Sequence, residues 1–376
     1  MIIAYDVSYI QHRRGGIGWY SLRLLTDLLG HETRHQFILH GWSNSIDLPA
    51  IERLEGGRVQ VRAARIPGFI KRAYWERLRF PPLTTFVGRY DLFHSADPSI
   101  PPARSRNAIV TVYDLISRSH PEMFEPHIVR RDSRLHAALR RARAVIVPSR
   151  FTRDELVESR SADPDRIAVV PPSIPREFTP DPQPADAGIL KSYGLTEPYL
   201  LFVGTIEPRK NIPGLIRAFE ALSSRCKERI VLVLVGKLGW LSRDIPAMIA
   251  ASSVRDRIRH LDYIPPEVLP AMYRGALAVL YPSFIEGFGL PVAEGLASGV
   301  PVVTSDRSGM AEIAGDAAIL VDPRSSEQLA AAVEQVVSSS SLRADLRMRG
   351  LRWAEELRKQ DGAAAVLRLY DELEHG

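Results

Sequence analysis

The stretch Tyr199-Leu200-Leu201-Phe202-Val203-Gly204-Thr205-Ile206-Glu207-Pro208-Arg209-Lys210-Asn211-Ile212-Pro213 decides how the rest of the chain is read. Its apolar opening does not alternate with polar residues, which suits a strand covered on both faces, and it is too short for a buried helix. Gly204 ends the run. Asn211 and Pro213 then supply start signals for a helix over residues 215–222. The unit is strand, loop, helix, and its loop carries two adjacent cations, Arg209 and Lys210.

The same alternation continues outward in both directions. Short apolar runs occur in the first half at residues 2–5, 37–40, 59–63, 92–94, 108–112, 145–148 and 167–170. In the second half they recur at 199–203, 230–235, 258–261, 278–281, 300–304 and 318–321. Helical stripes lie between them, as in residues 19–29 with Leu22, Leu25 and Leu29, and in residues 329–337. Strand–helix alternation predicts an α/β protein of doubly wound parallel sheets. A proline-rich break, Pro171-Pro172-Ser173-Ile174-Pro175 and then Pro180, Pro182 and Pro184, falls near the midpoint. We therefore expect two Rossmann-like domains, 1–172 and 185–350, with ligands in a cleft at the strands' carboxyl ends. A helical tail, 351–376, is expected to pack back on the first domain. The serine run at 338–341 reads as an inter-helix loop.

Bulk properties exclude several other classes. At 376 residues the chain exceeds one ordinary core. Its 45% hydrophobic and 25% charged composition is that of a globular protein, neither collagenous nor disordered. One cysteine, Cys226, permits no intrachain disulfide and no Cys-based zinc site, and fits a reducing cytosol. The opening residues lack the basic region and long apolar core of a signal peptide. The longest apolar run, residues 230–235, falls far short of the roughly 18–20 residues of a membrane-spanning helix. A net charge of +5 suits an acidic substrate or an anionic membrane surface as well as nucleic acid, and it also suits a plain basic protein.

Three stretches carry chemistry. Arg209 and Lys210, beside a helix start at a strand's carboxyl end, are placed to hold a phosphate or diphosphate; a solvated surface pair is the alternative. The second stretch is Pro282-Ser283-Phe284-Ile285-Glu286-Gly287-Phe288-Gly289-Leu290-Pro291-Val292-Ala293-Glu294, again directly after a strand run. Pro291 suits a first helical turn, which puts Glu294 in that turn and Glu286 in the glycine-rich loop before it. The two carboxylates can face one cleft and accept hydrogen bonds from sugar or ribose hydroxyls, although Glu294 could instead simply complement a helix dipole. The third is Gly15-Gly16-Ile17-Gly18, a loop before the helix starting near Trp19. Ser21 breaks the dinucleotide-binding spacing, and no P-loop sequence occurs, so the loop is either a phosphate-approaching backbone or an ordinary turn.

Taken in order, these three stretches resemble the family 4 glycosyltransferases, as do Ser149-Arg150-Phe151-Thr152, Val235-Gly236-Lys237-Leu238-Gly239-Trp240 and Ala297-Ser298-Gly299-Val300-Pro301-Val302. The likeness runs from the first strand to about residue 337, and the 204–211 block is most similar to bacterial mannosyltransferases of lipopolysaccharide and exopolysaccharide synthesis. It implies a GT-B fold, no required metal or other cofactor, and transfer with retention of configuration. It implies that Arg209 and Lys210 hold the diphosphate of GDP-mannose, with Gly204 beginning their loop. By the same resemblance Glu286 contacts the transferred sugar within Gly287, Phe288, Gly289 and Leu290, and Glu294 the ribose. Gly16 and Gly18 would approach the phosphates, and Tyr263 and Ile264 would line the base pocket.

Relatives carry His-Asp where this chain has Tyr113-Asp114. A tyrosine hydroxyl can bond a sugar but does not titrate near neutrality. His94 and His120 are nearby candidates for the sugar pocket or for plain structural roles. On the acceptor side, Arg62, Arg65, Lys71, Arg72, Arg77 and Arg79 are interleaved with Phe69, Tyr74, Trp75, Phe80 and Phe86. That segment suits either peripheral contact with an anionic bilayer bearing a polyprenyl-diphosphate-linked glycan, or burial of its aromatics. The expected activity is glycosyl transfer at the cytoplasmic face; the alternatives are a UDP-linked donor, an epimerase or phosphorylase of similar architecture, or a non-catalytic nucleotide-sugar-binding subunit. No nucleic-acid partner is expected.

Overall fold

In the computed structural model, residues 1–11, 15–41, 45–63, 80, 82–96, 107–126, 128–129, 135–226 and 228–375 are described. Among the described residues the apolar runs become strands in two all-parallel sheets, of seven and six strands. The first comprises β1 (Ile2–Asp6), β2 (Gln36–His40), β3 (Val59–Val61), β4 (Leu92–Ser95), β5 (Ala108–Thr111), β6 (Ala144–Val147) and β7 (Ile167–Val169). The second comprises β8 (Tyr199–Val203), β9 (Val231–Val235), β10 (Ile258–Leu261), β11 (Ala278–Tyr281), β12 (Val302–Ser305) and β13 (Ile319–Val321). Central strands are buried on both faces, as in Val231-Leu232-Val233-Leu234-Val235, which explains their unbroken hydrophobicity. Truncating Leu232 to alanine would cost about 2–5 kcal/mol, the usual range for a fully buried leucine.

The strand orders are β3-β2-β1-β4-β5-β6-β7 and β10-β9-β8-β11-β12-β13. In each sheet the winding reverses once, between β1 and β4 and between β8 and β11. Parallel sheets of this kind carry their ligands at that reversal, outside the carboxyl ends of the strands.

Contacts divide the chain into two units. The first holds Met1–Leu115, His127–Ser173 and Asp361–Gly376, and the second Ile116–Pro126 and Ile174–Gln360. The division at 173/174 lies in the proline-rich break. The tail does not part at residue 351: the helix Ser340–Arg358 packs against Leu290–Ala297 in the second unit. Only Gly362–His375 joins the first, packing on Gly16–Gly30 with Ala363, Val366 and Tyr370 buried. The serine run is shorter than a loop, because Ser339 alone links two helices and caps the second through Leu342 N at 3.1 Å. The short stretch Ile116–Pro126 is held in the second unit, where Trp240 Nε1 donates to Met123 O at 2.9 Å and its ring stacks on Phe124. Among the described residues no helix is long and apolar enough to cross a membrane.

Candidate functional site

β8 and β11 are neighbours at the reversal of the second sheet, and the loops leaving them meet. Gly204, with φ at +152°, turns the chain out of β8. A short 3-10 turn, Pro208–Lys210, follows, and Asn211 adopts the left-handed region with φ at +56°. Asparagine tolerates that conformation, and its side chain uses it. Oδ1 accepts from Gly214 N at 3.2 Å, capping the helix Ile212–Arg225, while Nδ2 donates to Pro282 O at 3.3 Å and Pro323 O at 2.6 Å. One side chain thus ties the loops after β8, β11 and β13. The backbone adds a further tie, Phe284 N to Arg209 O at 2.7 Å. Two glycines allow close approach here. A Cβ on Gly236 would lie 2.1 Å from Gly204 O, and one on Gly309 2.4 Å from Gly287 O.

This frame brings Arg209, Lys210 and Glu286 together. Glu286 is an ion-pair partner of both cations, one oxygen to each. Oε2 pairs with Arg209 Nη1, and Oε1 receives Lys210 Nζ at 2.5 Å. Arg209 Nε also faces Glu207 Oε1 at 2.5 Å. Lys210 is not a solvated loop residue; it is 5% exposed. Its ammonium donates to the Tyr281 hydroxyl at 2.5 Å and lies 4.8 Å from the centre of that ring. The Tyr281 hydroxyl in turn donates to Glu286 Oε1 at 3.2 Å, and the ring stacks on Phe202.

Burial alone would raise the Glu286 pKa, but the charges and hydrogen bonds of Arg209 and Lys210 outweigh it and hold it down at about 2. Lys210 is pulled below its ordinary value by burial and by Arg209, against the attraction of Glu286 and Glu207. We read the Lys210–Glu286 pair as ionised, because a contact this short is far stronger between charged than neutral partners. Burial also pushes the Tyr281 hydroxyl well up, keeping it protonated as a donor.

Sequence reading missed three members of this cluster. Tyr281 was visible only as the end of a strand run, and Glu207 only as a letter in a motif. Ser308 takes φ at +61° and its Oγ accepts Glu286 N at 3.1 Å, while Gly309 N donates to Glu286 O at 3.0 Å. No local pattern signals contacts to a residue so far back along the chain.

Glu294 departs from expectation. It lies beyond the first turn of the helix Leu290–Ala297, so it is not placed to complement the dipole of that end. It is buried, and Oε2 accepts from the Tyr273 hydroxyl at 3.0 Å. Gly289 precedes this helix in the left-handed region, Leu290 is its first residue, and Gly287 and Phe288 form the loop beside Gly309. Tyr263 and Ile264 follow β10, the former half-buried and the latter buried, with Tyr263 N on Asp262 Oδ1 at 2.7 Å.

The remaining candidates fall in both units. In the first unit the helix starts at Gly16, three residues earlier than Trp19, so Gly16 and Gly18 lie in its first turn rather than in a free loop. Their amides have no carbonyl four residues back within the helix, which leaves the donor character of a helix start. Tyr113 shares a hydrogen bond of 2.9 Å with Ser21 Oγ and meets Tyr20 edge-on. Asp114 lies near Glu155, whose carboxyl is raised to about 7 by burial and by the charges of Asp114 and Glu158. His94 is not a pocket residue. It is fully buried, with Nδ1 on the Tyr370 hydroxyl at 2.6 Å and Nε2 on Thr111 Oγ1 at 3.3 Å. His120 belongs to the second unit and contacts Ser119 Oγ at 3.0 Å. Of the basic, aromatic segment, Arg62, Phe80 and Phe86 are described, both phenylalanines exposed. Arg65, Phe69, Lys71, Arg72, Tyr74, Trp75, Arg77 and Arg79 lie outside the described residues.

Two parallel sheets of this order, with paired cations at the reversal of the second, form the frame of a GT-B glycosyltransferase. Comparison with known proteins agrees. The family described as Glycosyltransferase Family 4 matches residues 14–178, and that described as Glycosyl transferases group 1 matches residues 191–353. The chain is 30% identical to the O-antigen chain mannosyltransferase B of Escherichia coli, over 98% of this chain and 99% of that one. In fold it is similar to WaaG, a glycosyltransferase involved in lipopolysaccharide biosynthesis, with TM-score 0.72 and 16% identity over 96% of this chain and 98% of that one. It is likewise similar to Anabaena HepE, solved with UDP and glucose, with TM-score 0.75 and 17% identity over the whole of both chains. The protein is a glycosyltransferase, and it belongs to the family 4 glycosyltransferases.

Proposed function

We propose that the protein transfers mannose from GDP-mannose, with retention of configuration, to a glycan or polyprenyl-diphosphate-linked acceptor in surface-polysaccharide synthesis. The observation that carries the donor class is the convergence of Arg209 and Lys210 at the reversal of the second sheet, a paired positive charge suited to a diphosphate. In this reading the acceptor oxygen attacks the anomeric carbon as the bond to the diphosphate breaks, and the acceptor's proton passes to the leaving diphosphate. Arg209 and Lys210 stabilise the charge that develops there. They supply the neutralisation that a divalent cation would give, so no metal is required. Glu286 takes the hydroxyls of the transferred sugar, and Glu294 those of the ribose. Gly16 and Gly18 offer amides to the phosphates, and Tyr263 and Ile264 border the base. Tyr113 and Asp114 serve the sugar side.

Mannose is favoured by the full-length similarity to the Escherichia coli mannosyltransferase. A place at the cytoplasmic face of the membrane, in peripheral contact with anionic lipid, follows from such an acceptor. The test is incubation with GDP-mannose, UDP-glucose or ADP-glucose, a lipid-linked acceptor and excess EDTA. An α-linked mannosyl product from GDP-mannose alone is expected. Turnover only with another nucleotide sugar, a β-linked product, or loss of activity with EDTA restored by a divalent ion would each overturn the corresponding part.

A further inference from the structure

The second unit has a recess at the end of its sheet opposite the Arg209–Lys210 loop. It is an open recess of about 230 Å³, lined in part by Arg274, Leu277, Gly299, Pro301, Arg343 and Arg347. Leu277 and Pro301 directly precede β11 and β12, so the recess opens at the amino ends of strands whose carboxyl ends carry the donor loops.

Each guanidinium group has a partner in the fold, Arg274 and Arg343 through several bonds and the exposed Arg347 through one. Arg274 donates Nε and Nη2 to the Asp186 carboxylate at 2.7 Å each, and Nη1 to Glu177 O at 3.1 Å. Arg343 Nη1 donates to Val336 O at 2.7 Å and Val337 O at 2.6 Å, at the end of the helix Ser326–Ser338. Arg347 Nη1 donates to Gly299 O at 3.0 Å. Asp186 neutralises Arg274. Among the described residues, Arg343 and Arg347 have no carboxylate partner, and neighbouring Asp345 is taken by Arg349 at 2.7 Å. The two stand four residues apart on one helix, where like charges repel. Carbonyl capping accounts for Arg343 Nη1 and one Arg347 hydrogen. It leaves Nε and Nη2 of both side chains unspent beside the recess.

We propose that this recess is a second anion site, distinct from the donor site, which binds the phosphate of a small ligand through Arg343 and Arg347. Planar guanidinium forks match phosphate geometry, and pre-fixed ones lose little entropy on binding. The recess is open to solvent, so a phosphate can reach both arginines from outside without displacing any part of the fold. Leu277 and Pro301 give the rest of the ligand apolar support. The phosphate is that of a free metabolite or of a lipid headgroup.

The experiment uses the whole chain and its Lys210→Ala variant, which weakens the donor site. Thermal shift and calorimetry are run with inorganic phosphate and a hexose phosphate, and flotation with phosphatidylglycerol or phosphatidylcholine vesicles. Saturable phosphate binding should persist in Lys210→Ala. Ala344 also lines the recess; adding Arg347→Gln, or Ala344→Glu, which puts an acid beside both arginines while leaving them in place, should weaken it about tenfold. Ala344→Glu alone should leave turnover unchanged, which separates this site from the catalytic one. Comparison between variants cancels the general stabilisation of proteins by phosphate salts. Flotation with phosphatidylglycerol that Ala344→Glu abolishes, without binding of free phosphate, assigns the lipid source. Binding of free phosphate assigns the metabolite. No binding of either kind in Lys210→Ala, or binding that neither recess variant changes, overturns the proposal.

Discussion

The ammonium of Lys210 meets Oε1 of Glu286 at 2.5 Å, across 76 positions of sequence, while the other Glu286 oxygen pairs with Arg209. Glu286 therefore occupies, in the unliganded protein, the place of a counter-anion to both cations. If a donor diphosphate claims them, as proposed above, it must displace that carboxylate, which is then available to a sugar hydroxyl.

This exchange changes what Glu286→Gln should do. A neutral amide does not compete for Arg209 and Lys210, so GDP should bind more tightly than to the parent, by roughly tenfold for about 1.4 kcal/mol of competition removed. Turnover should fall, and the unliganded variant should melt earlier because buried Lys210 loses its ion-pair partner and half-buried Arg209 keeps only Glu207. Calorimetric titration with GDP decides; affinity equal to or below the parent's would sink the exchange.

Lys210→Ala should lower kcat by about 10²–10³, the usual loss for one preorganised charge donor. It should also destabilise the fold, because the lysine is buried between Glu286 and Tyr281 rather than solvated. Single-turnover kinetics and a melting curve on the same preparation test both halves. Full turnover in a folded variant would remove Lys210 from the mechanism.

Glu294 and Tyr273 are joined by one hydrogen bond of 3.0 Å. If Glu294 holds the ribose, Glu294→Gln weakens GDP binding, and Tyr273→Phe weakens it in the same direction by a smaller amount, through loss of orientation. Neither change should help the nucleotide bind, in contrast to Glu286→Gln. Calorimetry on the three variants gives opposite signs if the carboxylates have separate roles and matching signs if they do not.

His94 makes stability fall in mild acid. Burial lowers its pKa from 6.5 to about 3. Between those values the unfolded chain binds a proton that the folded chain does not, so this contribution is present above pH 6.5 and is lost as pH drops towards 3. At pH 4.5 the loss is about 2–3 kcal/mol. Denaturant titrations at pH 7.5 and 4.5 should show a shallower decline in His94→Gln than in the parent. Identical slopes would place the acid sensitivity elsewhere.

The strands were legible because residues such as Val231-Leu232-Val233-Leu234-Val235 are buried on both faces and so carry no polar alternation. The placement of Arg209 and Lys210 was legible because they are adjacent in sequence and lie between a strand and a helix cap, Asn211. Its counter-charge was only half legible: Glu286 could be proposed for a sugar, yet nothing local shows that its carboxylate faces inward to Lys210. Tyr281 is 71 positions from the lysine it contacts, and Tyr370 is 276 from His94. Pairings at such separations are set by sheet order, which periodicity does not encode. Glu294 was misplaced because the helix begins at Leu290, one residue before Pro291, which carries Glu294 one position past the first turn.

The helix Gly362–His375, though last in sequence, completes the core of the first unit by laying Tyr370 on His94 and Val366 into the apolar cluster around Leu25 and Leu28. On the ribosome, that unit's sheet emerges long before its final helix, and the second unit is made in between. Synthesis at about 5–20 residues per second leaves the first unit lacking one wall for roughly ten seconds or more. The chain closes the half it began only after the other half has been made.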